Sequence, residues 1–129
     1  MAEQINSRAL ALEILMEVNE KGKYSHQMIR EVLEKYQYLE KRERAFLTRL
    51  VEGTLERQIE LDYRIDQLSK IKVKKMKPLI RNLMRMSAYQ ICYSVVPDSA
   101  VCNEAVKLAK KRGFSQLAGF VNGVLRNLS

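Results

Sequence analysis

Positively charged side chains are the residues of this sequence whose spacing points most directly to a chemical role. Seven of them occur between residues 69 and 85 without an acidic residue among them: Lys70, Lys72, Lys74, Lys75, Lys77, Arg81 and Arg85. Arg81 and Arg85 are four residues apart, so they share one face of a helix and extend the charge of the lysine run along it. Such a cluster binds polyanions because its contacts with phosphates release condensed counterions. The spacing therefore predicts a phosphate-contacting surface.

A second cationic group lies near the end of the chain and consists of Lys107, Lys110, Lys111, Arg112 and Arg126. Residues 69–129 contain 12 Lys and Arg against 2 acidic residues, whereas residues 1–68 contain 11 against 13. If the fold brings the two groups together, they form one surface that can follow a phosphate backbone. Lysine predominates in it, which favours backbone contacts over bidentate reading of bases. The alternative is that these cations are only the solvated surface of a basic protein.

Arg8 is an isolated cation near the start of the chain. On a helical wheel it falls among Ala11, Leu12 and Leu15, away from the arc that contains Glu13 and two further glutamates. One interpretation is that its aliphatic part covers apolar surface while the guanidinium reaches solvent or a carboxylate. The other is that the first helix presents Arg8 to the same polyanion as the lysines. Spacing alone leaves both open.

Residues that could support catalysis or bind a metal are few. Cys92 and Cys102 form no CxxC pair, and His26 is the single histidine. Both cysteines lie in apolar helical segments, which is typical of packing residues, because a nucleophile requires an activated thiolate. The glycines form neither a GxGxxG nor a P-loop motif. We therefore expect no catalytic site, no metal site and no cofactor-binding site in this chain.

Apolar residues recur at helical spacing along the whole chain, and no segment alternates as a strand does. We predict one all-α domain of six helices over residues 1–129. The first begins near Asn6 or Ser7, both good N-caps, and runs to about Asn19, with Gly22 as the residue that ends it. The others begin near Ser25, Glu40, Pro78, Asp98 or Ser99, and Ser115. The third helix is expected to continue to Leu68, with a kink or a close helix contact at Gly53, and residues 69–77 form a basic connector. No apolar run approaches the ~20 residues of a membrane span, and no signal-peptide pattern is present, so we expect a cytoplasmic location.

Five segments of the chain form a recognisable pattern: SRALALEILMEV at 7–18, KRERAFLTRLVEGTLER at 41–57, IRNLMRMSAYQICY at 80–93, VPDSAVCNEAVKLAKKRG at 96–113 and GFVNGVLRNL at 119–128. Together they resemble the NusB-like domain that begins RsmB-type (Sun/Fmu) 16S rRNA cytosine-C5 methyltransferases. The last segment is the most specific, and Arg126 in its VLR sequence is more typical of these methyltransferases than of standalone NusB antitermination factors. The start of the chain retains only Arg8 of the arginine cluster associated with RNA binding by NusB.

This resemblance implies a NusB-like helical bundle, made of two packed antiparallel three-helix bundles, that binds RNA and in particular 16S rRNA. It also implies that S-adenosylmethionine and the cysteine nucleophile belong to a C-terminal methyltransferase domain that these residues do not include. The candidate RNA-binding residues are then the cations identified from charge, namely Arg8, Lys70, Lys72, Lys74, Lys75, Lys77, Arg81, Arg85, Lys110, Lys111, Arg112 and Arg126.

Two other functions remain open at this point. A standalone NusB-type factor would bind RNA together with a ribosomal-protein partner and act in transcription antitermination. An interaction module would instead dock against the catalytic methyltransferase domain, and surface positions such as Glu52 and Glu56 would then matter more than the lysines.

Overall fold

The computed structural model describes residues 6–129, and within them it contains α-helices and no β-strand. The seven helices are α1 Ser7–Lys21, α2 Ser25–Lys35, α3 Lys41–Glu56, α4 Gln58–Leu68, α5 Pro78–Tyr93, α6 Asp98–Lys111 and α7 Ala118–Leu128. Two short 3₁₀ turns, Val73–Lys75 and Ser115–Leu117, precede α5 and α7. The prediction of an all-α fold is confirmed. None of the helices in this part of the chain is long and apolar enough to cross a membrane.

Local sequence determines both ends of α1. The Asn6 side chain accepts hydrogen bonds from the backbone N–H groups of Arg8 at 2.8 Å and Ala9 at 3.4 Å, which satisfies donors that have no partner in the first turn. Gly22 ends the helix in the left-handed region with φ 72°, and its N–H donates to the Val18 carbonyl. Glycine adopts this conformation without the steric penalty of a Cβ atom. The predicted boundaries of α1 are therefore confirmed to within two residues.

The predicted long helix from Glu40 to Leu68 is wrong, because the chain turns at Arg57 and forms α3 and α4 instead. Arg57 has φ −106° and ψ 16°, outside the helical range. Gly53, where a kink or close contact was expected, lies within α3 with the ring of Tyr89 where a Cβ atom would be. The close contact predicted at Gly53 is confirmed, and it requires glycine because α3 and α5 approach each other there.

Helix α5 is the centre of the molecule. It has ten buried residues and packs against α1, α3, α4, α6 and α7. Helices α1, α2 and α3 pack against one another, as do α5, α6 and α7, and one continuous hydrophobic core connects the two groups. Burial on nearly every side explains why α5 is apolar around most of its circumference. A polar residue on α5 must therefore find a partner within the fold.

Side-chain contacts show how the helices run past one another. At one end of α1, Arg8 contacts Gln90 near the end of α5, and at the other end Glu20 contacts Arg81 near its beginning. The two helices are therefore antiparallel. Arg112, just after α6, forms an ion pair with Glu13 in the middle of α1. Helix α1 thus lies between the basic connector and the end of α6.

Candidate nucleic-acid interface

The connector between α4 and α5 exposes its lysines because two apolar residues anchor it. Val73 and Met76 are 2% and 6% exposed and pack into the core. The Val73 N–H also donates to Asp66 Oδ1 at 2.8 Å, which fixes the 3₁₀ turn against α4. The five lysines of this segment all lie on the solvent side: Lys70, Lys72, Lys74, Lys75 and Lys77. The predicted basic connector is therefore an ordered, outward-facing cationic surface.

Arg85 differs from these lysines because it is buried. Its Nε and Nη2 groups donate to the two carboxylate oxygens of Asp62 at 2.7 and 2.9 Å, so the pair is bidentate. The Arg85 side chain is 10% exposed and that of Asp62 is 28% exposed. A guanidinium held in this way neutralises the carboxylate and has little access to an external phosphate.

Arg81 is likewise paired with an acidic residue of another helix. Its Nε donates to Glu20 Oε2 at 2.9 Å and its Nη2 to Glu20 Oε1, while the buried Asn82 amide donates to Glu20 Oε2 at 2.9 Å. The hydrogen bond from Arg81 lowers the pKa of the Glu20 carboxyl, and the same bond raises the pKa of Arg81. Asn82 also accepts a hydrogen bond from the Asn19 amide at 2.8 Å, which links α1 and α5 further.

These contacts form a polar cluster between α1, α4 and α5, which we call the junction network: Asn19, Glu20, Gln58, Asp62, Arg81, Asn82 and Arg85. Arg81 and Arg85 share one face of α5, and Arg81 also donates to the Lys74 carbonyl of the connector at 3.4 Å, but both are paired with carboxylates. Their charges are compensated by Glu20 and Asp62, which lie far away in sequence and were not considered as partners. Whether either arginine reaches RNA remains a prediction.

Three members of the second cationic group line an open groove between α6 and α7. Its volume is about 630 Å³, and its lining residues are Asn103, Val106, Lys107, Lys110, Ser115, Ala118, Gly119, Asn122 and Arg126. Lys107 lies 3.8 Å from Glu104, and its side chain is 74% exposed. Lys110 and Arg126 form no ion pair with any residue of the described range. The structure thus brings together three residues of the predicted second cationic group, Lys107, Lys110 and Arg126, across two helices.

Lys111 and Arg112 lie beside this groove at the end of α6. Lys111 is exposed, and Arg112 forms an ion pair with Glu13. Glu13 and Glu20 are seven residues apart, so they lie on the same face of α1, about 10 Å from each other along its axis. Arg112 contacts the first and Arg81, at the edge of the connector, contacts the second. The two cationic groups therefore border the same face of α1.

Arg8 is half-buried at the start of α1. Its Nε donates to Gln90 Oε1 at 2.9 Å, and its guanidinium lies 5.3 Å from the centre of the Phe46 ring. Burial lowers the pKa of Arg8, and the nearby Glu104 carboxylate opposes that effect. Within residues 6–129 no carboxylate forms an ion pair with it. Arg8 is thus neither fully solvated nor paired with an acid, so the first interpretation from the sequence describes it only in part.

A second pocket, which the sequence did not indicate, lies between α3 and α5. It has a volume of about 280 Å³ and is lined by Phe46, Arg49, Leu50, Tyr89, Gln90, Tyr93, Ser94, Val95 and Val96. We call it the aromatic pocket. Arg42 and Arg49 are exposed on α3, one on each side of Phe46 in the sequence. Their seven-residue spacing is a signal that they share one helix face. The net negative charge of the first half of the chain gave no reason to expect a cationic surface there.

The cysteines and the histidine line neither the groove nor the aromatic pocket. Cys102 is 1% exposed, and burial raises the pKa of both the Cys92 and Cys102 thiols, so neither is activated as a thiolate. His26 is exposed on α2, 3.9 Å from Glu52. Among the described residues, no group of three or more His, Cys, Asp or Glu side chains could bind a metal ion.

Comparison with known proteins identifies relatives along almost the whole chain. The sequence is 41% identical over 122 residues to the "Probable ribosomal RNA small subunit methyltransferase B" of Bacillus subtilis. The match covers 94% of this chain but only 27% of that protein. It is 38% identical over 86 residues to the transcription antitermination protein NusB of Bacillus velezensis, covering 65% of this chain and 66% of the relative. The chain thus spans about a quarter of the length of the methyltransferase that it matches.

The fold also has a close structural counterpart. The NusB-like chain in a crystal structure of antitermination factors NusB and NusE in complex with dsRNA superimposes with a TM-score of 0.84, at 23% identity, over 95% of this chain and 92% of that one. The NusB-like bundle expected from the sequence is therefore confirmed. The pattern of the NusB family itself matches residues 5–129. This chain belongs to the NusB family.

Proposed function

We propose that this chain is the RNA-binding domain of a ribosomal RNA methyltransferase and that it contacts 16S rRNA mainly through phosphate groups. In this proposal residues 1–129 form one domain, and a separate C-terminal domain of the same cytoplasmic protein binds S-adenosylmethionine and methylates a cytosine at C5. The likeness to the Bacillus subtilis methyltransferase over 94% of this chain supports the assignment of the parent enzyme.

The groove between α6 and α7 is the observation that most directly supports phosphate binding. Lys107, Lys110 and Arg126 converge on it from two helices, and the Asn122 amide adds neutral hydrogen-bonding groups. Gly119 is exposed on the same groove and has no side chain that would keep a sugar–phosphate backbone at a distance. An open groove with cations on two sides suits a continuous polyanion, which can lie along it. A site for a small anion would enclose the anion instead.

The connector supplies the second set of phosphate contacts in this proposal. Its five exposed lysines border the same face of α1 as the end of α6, so an RNA helix that lies across α1 can reach both sets. Arg81 and Arg85 stabilise the junction network in this account and contact no phosphate. The crystallised NusB–NusE assembly, which shares this fold and contains dsRNA, supports a helical RNA partner.

A charge-reversal experiment tests the proposal. The variant Lys110→Glu/Arg126→Glu should bind a 16S rRNA hairpin at least about tenfold more weakly, because two phosphate contacts become repulsive. Lys23→Glu/Arg30→Glu, which changes the same charge on the α2 side, should bind like the unmodified chain. Affinities measured by fluorescence anisotropy from about 50 to 200 mM salt separate the two. An equal loss of RNA affinity in both variants contradicts the proposal, and so does the absence of RNA binding by the unmodified chain.

A second candidate function is docking against the catalytic domain, and one feature of α4 favours it. Ile59 and Tyr63 lie one turn apart and are 90% and 66% exposed, which is unusual for large apolar side chains. Separately produced catalytic domain should then bind this chain, and Ile59→Ser/Tyr63→Ser should abolish that complex. If this occurs while the unmodified chain binds no 16S rRNA hairpin, docking replaces RNA binding as the main function. Antitermination is less favoured, since a NusB factor that matches 121 residues of this chain is 27% identical to it, whereas the Bacillus subtilis methyltransferase is 41% identical over 122 residues.

A further inference from the structure

We propose that the aromatic pocket between α3 and α5 binds one unpaired nucleobase of the RNA that the domain engages. This inference rests on the proposed RNA-binding function and adds to it a site that binds a base rather than a phosphate. It assigns a role to the first half of the chain, whose net charge gives no indication of RNA contact.

The walls of the pocket suit a flat ring. Phe46 contributes from α3, and Tyr89 and Tyr93 contribute from α5, with 5.8 Å between the centres of the two tyrosine rings and 32° between their planes. Arg57 lies 4.1 Å from the centre of the Tyr93 ring, and the Tyr93 hydroxyl donates to Glu60 on α4, so both contacts fix the ring. Unpaired bases are bound in proteins by stacking on aromatic side chains, since every base has an extended π face.

The size and exposure of the pocket also fit a single base. Its volume of about 280 Å³ lies just below the ~300–1,000 Å³ range of small-molecule sites and is too small for a folded peptide segment. Val95 at its rim is completely exposed, so the entrance is open to solvent. The Ser94 hydroxyl and the Gln90 amide line the same space but are engaged within the chain, since Ser94 donates to the Gln90 carbonyl and the Gln90 amide donates to the Met86 carbonyl. Binding of a base in the pocket therefore rests on stacking.

Charge at the rim favours a nucleotide over an apolar protein side chain. Arg49 lines the pocket and is exposed, and Arg8 lies behind Phe46. Within the described part of the chain neither arginine forms an ion pair with a carboxylate. A base in the pocket brings its own phosphate close to these two guanidinium groups, which are strong donors to phosphate oxygens.

The pocket and the proposed phosphate surface both lie near the start of α1. Arg8 contacts Phe46 and Gln90 on one side, and on the other it is close enough to the Glu104 carboxylate for that charge to affect it. Glu104 in turn lies beside Lys107, which lines the groove between α6 and α7. The start of α1 therefore connects the two sites, and a strand that leaves the groove can place a base in the pocket.

The test compares two RNAs of equal charge. One is a hairpin with a five-nucleotide single-stranded tail, and the other has the same tail without its bases. The unmodified chain should bind the first about tenfold more tightly, because stacking of a base is lost in the second. Tyr93→Ala and, independently, Arg49→Glu should remove most of this difference. Tyr63→Ala and Arg30→Glu change an exposed tyrosine and an exposed arginine elsewhere and should preserve it.

The outcomes separate this inference from the proposed function. Salt-dependent binding that is equal for both RNAs overturns the base pocket and leaves the groove intact. The inference is also overturned if Tyr93→Ala and Arg49→Glu both still prefer the tail with bases. The base then binds elsewhere, and the pocket is left for a protein side chain. If the chain binds neither RNA at about 50 mM salt, the proposed function and the pocket are both wrong. Circular dichroism confirms that each variant is folded before its affinity is interpreted.

Discussion

The beginning of α5 and the groove between α6 and α7 are both rich in cations, yet the fold uses them in opposite ways. Arg81 and Arg85 are directed inward to Glu20 and Asp62, whereas Lys110 and Arg126 face an open groove without a carboxylate partner in residues 6–129. The difference follows from position, since α5 is surrounded by five helices and α6 and α7 have outer faces. A positively charged residue in a sequence therefore indicates polyanion binding only when no acidic residue within the fold neutralises its charge.

The largest effect on stability is expected at Arg85. Arg85→Met keeps the volume of the side chain but leaves the Asp62 carboxylate without its partner at the edge of the core. Breaking a buried pair in this way should lower the free energy of unfolding by about 3 kcal/mol. Urea denaturation of this variant and of Arg64→Met, which loses only a half-exposed pair with Glu60, measures the contrast. Similar small losses of unfolding free energy in both variants would show that the junction network contributes little to stability.

Removal of Arg81 should cost less and should change the response to acid. Arg81→Gln should lower the free energy of unfolding by about 1–2 kcal/mol at neutral pH, because one charged hydrogen-bonded pair is lost. The pKa of Glu20 is lowered in the folded chain, so this stabilisation is present above the ordinary value of 4.5 and disappears as the pH falls through the lower folded pKa. Below that pH the unmodified chain and Arg81→Gln should converge in stability. A constant difference from pH 7 down to pH 2 would contradict the assigned pair.

Two glycines should respond in opposite directions to the same substitution. Gly53→Ala places a methyl group against the Tyr89 ring and should lower the free energy of unfolding by about 1 kcal/mol, even though alanine favours a helix. Gly123→Ala on the outer face of α7 meets no atom within 4 Å and should raise it by up to about 1 kcal/mol. Thermal denaturation of both variants provides the measurement. Stabilisation by Gly53→Ala would mean that α3 and α5 are not held closely together there.

Features determined by neighbouring residues could be predicted from the sequence. Asn6 and Gly22 indicated α1, Pro78 indicated the start of α5, and the lysines of the connector proved to be exposed. The turn at Arg57 has no such local signal, because no glycine or proline marks it and the apolar pattern continues on both sides.

Contacts between residues far apart in the chain could not be predicted in the same way. Arg81 and Glu20 are separated by 61 positions, and only the antiparallel packing of α1 on α5 brings them together. The aromatic pocket is likewise formed by residues of α3 and α5 that no spacing rule connects. Helix periodicity defines which faces are buried, but it does not define which faces meet.

One pair of variants tests the contrast between the two regions most directly. Arg126→Gln and Arg81→Gln each remove one positive charge, and the affinity for a 16S rRNA hairpin is measured for both across about 50–200 mM salt. On a log–log plot Arg126→Gln should reduce the slope by about 0.7–0.9 and weaken binding, whereas Arg81→Gln should leave both unchanged. If Arg81→Gln reduces the slope as much as Arg126→Gln, the paired arginines also contact RNA and the division proposed between structural and binding cations is wrong.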